Sequence, residues 1–105
     1  MKTLETRGRR TAEAIGNHEE FNTGGSLCAR RSVRGIDSGR LPRDWAARFD
    51  SDRDRIVYVV VSYITPIAWV LDDGTVRIPN VKFSVTTTKH QGNLYLLNAR
   101  PWDEV

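Results

Sequence analysis

The chain has 105 residues, 39% of them apolar, with 16 Lys+Arg against 13 Asp+Glu and a formal net charge of +3; that length accommodates one domain, residues 1–105. Its longest apolar run, residues 56–61, falls far short of the roughly 20 residues that cross a bilayer, and the N-terminal MKTLETRGRR lacks the apolar stretch of a secretory signal. The single cysteine, Cys28, excludes an intramolecular disulfide scaffold and fits a reducing cytoplasm; with His18 and His90 it offers no paired ligand spacing, so no metal or other cofactor is expected.

Charge and hydropathy are unevenly distributed. Residues 1–55 carry 12 Lys+Arg and 9 Asp+Glu, whereas residues 56–105 carry four of each, so the whole positive excess lies in the first half. Apolar residues number 16 in the first 55 positions and 25 in the last 50. The main folded core is therefore expected over residues 41–98, and residues 1–10, with Arg7, Arg9 and Arg10 around Gly8, read as a mobile basic arm.

Residues 11–21 suit a short helix with Thr11 as its N-cap and Ile15 and Phe21 as its anchors. Asn22-Thr23-Gly24-Gly25 is a turn, residues 26–31 suit a short strand, and residues 32–40 a loop. Pro42 opens a second helix through about Phe49, in which Trp45 and Phe49 lie four apart and share one face. Residues 50–55 are its charged exit.

From residue 56 the period changes to that of a strand. Residues 56–63 are apolar on both faces and rich in β-branched side chains, the pattern of a central strand. Thr65-Pro66 interrupts the run. Residues 67–71 and 76–78 flank Asp73-Gly74, which predicts a two-residue type I′ hairpin pairing Leu71 with Val76 and Trp69 with Ile78, on one apolar face with Ile67. Residues 81–90 are expected as a fourth strand and 94–97 as a fifth. The predicted fold is α+β, a four- or five-stranded antiparallel meander preceded by one or two short helices.

Three groups of residues could carry function. In the strand expected over 81–90, Ser84, Thr86, Thr88 and His90 would form a polar row opposite the core-facing Phe83 and Val85. Such a row is either an exposed, Thr-rich strand face or a hydroxyl-and-imidazole ladder for a ligand or partner. Catalysis within it is excluded by distance: six residues of strand span about 20 Å, whereas a nucleophile and its base need about 3 Å. A Ser/Thr–His pair would have to unite His90 with Ser62 or Thr65 from a neighbouring strand. No carboxylate occurs between residues 74 and 102 to orient the imidazole, so a triad would need an acid from the first half.

The second group holds Tyr63 and Trp69, which read as core or core-edge aromatics or, with Tyr58 and Tyr95, as a stacking surface for bases. The third is arginine, 13 of the 16 basic residues. Arg7, Arg9, Arg10, Arg30, Arg31 and Arg34 are either a solvated surface of the kind GC-rich genomes encode or a phosphate-tracking arm and patch. Arg40 and Arg43 add a further pair.

The motifs Ser62-Tyr63, Thr65-Pro66-Ile67-Ala68-Trp69, Pro79, Ser84-Val85-Thr86-Thr87 and His90-Gln91, together with Leu41-Pro42-Arg43-Asp44-Trp45, resemble a family of small uncharacterised proteins encoded by phages and plasmids of actinobacteria. The resemblance covers about half of the chain, and Phe83 stands where relatives often carry a tyrosine. It implies a genomic setting and no mechanism. The expectation is a non-enzymatic accessory protein of the host cytoplasm that binds nucleic acid through its Arg-rich half. The alternatives are a host-protein modulator and a His90-dependent hydrolase or nuclease-like enzyme. Homodimerisation through a sheet edge is a further expectation, and a membrane partner is not one.

Overall fold

The computed structural model describes residues 2–79, 81, 87 and 90–97 (for Tyr95 the backbone alone). Strands β1 (Lys2–Thr3), β2 (Phe21–Asn22), β3 (Leu27–Arg30), β4 (Ile56–Ser62), β5 (Thr65–Leu71) and β6 (Val76–Arg77) form one sheet in that spatial order. Helices α1 (Arg9–Gly16) and α2 (Arg43–Asp52) and single 3₁₀ turns at Arg53–Arg55 and Leu94–Leu96 accompany the sheet. The α+β class stands, but the sheet is mixed. β1 pairs parallel with β2 and every other pairing is antiparallel. A parallel pair needs a crossover, and α1 supplies it.

The helices are therefore interleaved with the strands. The first ten residues contribute β1, and Leu4 donates its N–H to Asn22 O at 2.8 Å and packs against the core. Helix α1 starts two residues before the expected N-cap. Thr11 is buried within it, and its hydroxyl donates to Glu5 O at 2.5 Å. Past its end at Gly16, His18 holds a left-handed φ of 55°, while the N–H of Glu19 reaches Ala14 O and that of His18 reaches Ile15 O. This is the Schellman pattern, with histidine where glycine is usual.

Strand β4 is central, paired with β3 and β5 and apolar on both faces because both faces are covered. Tyr58 and Val60 join Ala14, Ile15, Leu27, Val70, Ile78 and Leu94 in one cluster beneath α1, whereas Val59 and Val61 join Trp45, Phe49, Trp69 and Leu71 in the other, beneath α2. As the sequence spacing predicts, Trp45 and Phe49 meet the sheet together. Both rings stand edge-on to Trp69, at centroid separations of 6.0 and 5.0 Å. Burying each such side chain is worth about 1.5–3 kcal/mol. Register shifts accommodate two extra residues: Val57 bulges from β4, 43% exposed, and Ile67 from β5.

The β5–β6 hairpin corrects the expected register. Val70 pairs with Val76 and Trp69 with Arg77. Leu71 donates to Thr75 O at 2.8 Å, and Gly74, at φ 90°, donates to Leu71 O at 3.0 Å. This is a three-residue loop closed by a left-handed glycine. The N–H of Asp72 bonds to Arg55 O, and the Arg55 guanidinium grips both Asp72 and Asp73, which holds the longer turn. A one-residue slip reverses the faces, so Ile78 lies opposite Trp69 and Arg77 comes to its side.

The C-terminal part departs most from expectation. Thr87, His90 and Gln91 have helical backbone, and residues 94–96 form a 3₁₀ turn, so neither the end of the expected fourth strand nor the fifth exists as a strand. Gly16 lies against this turn; a Cβ there would come within 2.9 Å of Leu96 Cβ and of its carbonyl oxygen. Among the described residues the outermost strands of the sheet, β1 and β6, are only two residues long. No helix among the described residues is long and apolar enough to cross a membrane.

Candidate functional site

Ser62 pairs with Thr65 across a two-residue turn whose central residues, Tyr63 and Ile64, are 57% and 63% exposed. Tyr63 alone of the two takes a left-handed φ, 58°, a conformation that costs a side-chain-bearing residue about 1–2 kcal/mol relative to its ordinary backbone. Its N–H is anchored to Ser26 O at 2.6 Å. The loop over residues 31–40 is pinned to the same turn. Arg40 donates its N–H to Thr65 Oγ1 at 2.9 Å, and Gly39, at φ 53°, sits so close that a Cβ would meet Ile64 O and come within 2.7 Å of Thr65 Cα. A Gly39→Ala variant is expected to lose about 2–3 kcal/mol, combining the left-handed penalty with an overpacked backbone contact. Urea unfolding checks this; a loss under 0.5 kcal/mol would mean that the loop is not held there.

Between this loop and the ends of β3 and β4 runs a groove of about 510 Å³, lined among others by Cys28, Arg30, Arg34, Ile36, Tyr63 and Ile64. Arg30 is fixed, its Nη1 donating to Phe21 O and Ala29 O, both at 3.0 Å. Arg34 is exposed and makes no ion pair among the described residues. Burial pushes the Cys28 thiol up, which disfavours a thiolate nucleophile in the groove.

On the opposite face of the sheet, Ser62 turns inward to His90. Its Oγ lies 2.7 Å from His90 Nδ1 and 3.0 Å from Thr87 Oγ1, while His90 Nε2 lies 3.3 Å from Ser26 Oγ. Ser62 and His90 are 1% and 2% exposed and Thr87 is buried; Ser26 alone of the four is half-buried. Burial lowers the His90 pKa below its ordinary value. The exposed Tyr63 ring stands 6.0 Å from the imidazole, so this turn residue borders both the groove and the polar chain.

His90 and Ser62 thus meet from separate elements, as a catalytic pair would require. Ser62 is nevertheless too enclosed to reach a substrate, and among the described residues hydroxyls rather than a carboxylate flank the imidazole. Helical backbone explains the contact: Thr87 and His90 are three apart, which places them on one helix face, whereas in a strand they would point to opposite faces. Thr65 holds the loop through Arg40. Trp69 is fully buried, which bears out its reading as a core aromatic and overturns its alternative place at a partner surface. Ser84, Thr86 and Thr88 lie outside the described residues. Arg7, Arg9 and Arg10 line a second groove of about 460 Å³ at the start of α1, where Arg9 pairs with Glu13. Arg31 lines neither groove; its Nε donates to His18 O and its N–H to Glu20 Oε2. Sequence reasoning missed Ser26 and Thr87, which carry no signal beyond the Gly-Gly-Ser turn and a threonine run.

The chain matches the model of a family described as "Family of unknown function (DUF8033)" over residues 2–100. No curated protein and no solved structure matches it.

Proposed function

We propose that this chain, which belongs to the DUF8033 family of unknown function, is a small binding protein that takes single-stranded nucleic acid in the groove bordered by Arg30, Arg34 and Tyr63. The observation that carries this reading is Tyr63, an aromatic ring held exposed at a strained φ beside two arginines. Strain retained in an exposed turn asks for a use, because glycine would relieve it. Guanidinium groups grip phosphate oxygens, and a base stacked on an aromatic ring gains about 1–3 kcal/mol. A duplex presents no free base face to Tyr63, which favours the single strand. The reading also takes up the setting expected from the sequence motifs, a phage- or plasmid-encoded protein acting in the host cytoplasm.

The test is fluorescence anisotropy with labelled single-stranded and duplex oligonucleotides at low and at physiological salt. Single strands are expected to bind more tightly, with a steep salt dependence. Arg34→Ala should weaken binding and flatten the salt slope. Tyr63→Gly should lower affinity roughly 5- to 150-fold while leaving the urea midpoint unchanged or higher. Absence of binding at both salts, or binding indifferent to both variants, overturns the reading. Tyr63 and Ile64 standing exposed side by side favour a second reading in that case, docking of a host protein on the hairpin turn, and the same Tyr63→Gly variant would then serve as the control in partner capture.

A further inference from the structure

The imidazole of His90 has one enclosed side and one that leads outward. Its Nδ1 faces Ser62, which continues to Thr87, and its Nε2 faces Ser26 Oγ at 3.3 Å. Ser26 stands on the β2–β3 turn, which is locked because Thr23 Oγ1 donates to Leu27 O and accepts from Leu27 N–H. The two glycines before it face open space, where an added Cβ would meet nothing within 4 Å. If Ser62 directs its hydroxyl hydrogen to Thr87 and accepts Nδ1–H, Nε2 is left as the acceptor for the Ser26 hydroxyl.

We propose that Ser26 is a nucleophilic serine for acyl transfer, with His90 as its general base and Ser62 as a positioning residue that sets the imidazole's tautomer. Among the described residues no charged side chain hydrogen-bonds to Ser26, His90 or Ser62, and the exposed Tyr63 ring stands beside the imidazole, so the site suits a small uncharged ester. In the reaction, Ser26 Oγ bonds to the acyl carbon as its proton passes to His90 Nε2 and the carbonyl electron pair moves onto oxygen. When the adduct collapses, the bond to the leaving alcohol breaks and that alcohol's oxygen takes the proton from Nε2. Water then attacks the acyl-serine with the same proton transfers, releasing the carboxylic acid and restoring Ser26. Ser62 carries no negative charge to stabilise the imidazolium, so the base contributes near the lower end of the usual range, about 10²-fold.

The experiment exposes the full chain to p-nitrophenyl acetate and, separately, to a fluorophosphonate, with intact mass and peptide mapping as readouts. One adduct on Ser26 is expected. It is absent from Ser26→Ala, which alters a half-buried turn residue and keeps the fold. In the wild-type chain the labelling rate should rise with pH and level off once His90 is neutral, and Ser62→Ala should lower the plateau about tenfold and move its midpoint. No adduct, an adduct elsewhere, or a rate that climbs with hydroxide without levelling off overturns the proposal. The wild-type pH profile decides the role of His90 even where a His90 variant fails to fold.

Discussion

Replacing Asp52 by alanine should destabilise the protein by about 2–4 kcal/mol. Asp52 closes α2 with 6% of its surface exposed, and its Oδ2 accepts from Trp69 Nε1 at 2.9 Å and from Arg77 Nε at 3.2 Å. Truncation leaves the indole N–H without an acceptor in the centre of the aromatic cluster, a cost of about 1–3 kcal/mol by itself. It also strands a guanidinium. The side chain of Arg77 retains 26% exposure and can hydrate, which keeps the total below the roughly 3–5 kcal/mol of breaking a fully buried pair. Asp52→Asn keeps an acceptor for Trp69 and should cost about half as much. Urea unfolding checks both: the midpoint should fall with an unchanged slope. A loss under 0.5 kcal/mol for alanine would show that Asp52 does not hold Trp69 and Arg77.

The second large effect concerns His90. His90→Ala removes an imidazole bonded on both nitrogens and leaves a buried void, at a cost of about 2–4 kcal/mol. The native residue also makes stability depend on pH. Burial lowers its folded pKa below the ordinary 6.5, so the unfolded chain binds more protons below that value. The stabilisation is complete above about pH 6.5 and is lost as pH falls from there towards the folded pKa. Two carboxylates act in the same direction at lower pH. Lys2 lowers the pKa of Glu19 from 4.5, and Asp73 is held at about 2, chiefly by its bonds to Thr75, so their contributions fade only below about pH 4.5. Urea midpoints measured between pH 7.5 and 5 therefore isolate the histidine. The wild-type midpoint should fall over that range and His90→Gln should remove most of the slope. Equal slopes in the two proteins would contradict the assignment.

What was legible in the sequence is what local pattern controls. The β-branched run before Ser62 specifies a strand buried on both faces, and Pro42, Trp45 and Phe49 specify a helix with one apolar face, because alternation and helical spacing act within a few residues. The Asp73-Gly74 turn was legible as a turn but not in its length. The extra residue depends on Arg55, seventeen positions before Asp72. That single residue decides whether Arg77 or Ile78 shares a face with Trp69, and so whether Asp52 has its second partner.

The candidate site was legible only as residue types. Ser62, Tyr63, Thr65 and His90 could be singled out for their chemistry, yet the strand pattern around the threonines placed His90 on an exposed polar row. Instead, helical backbone turns Thr87 and His90 together onto Ser62, 25 and 28 positions earlier, and Ser26 closes the chain from 64 positions away. The same holds for β1, whose parallel pairing with β2 depends on α1 crossing between them. The sequence by itself thus determined the central strands and α2 with its apolar face, since hydrophobic periodicity needs no distant partner. The tertiary structure alone decided the hairpin register, the helical state at Thr87 and His90 and the meeting of Ser26, Ser62 and His90. In each of these, weak local preference gave way to contacts between residues far apart in the chain.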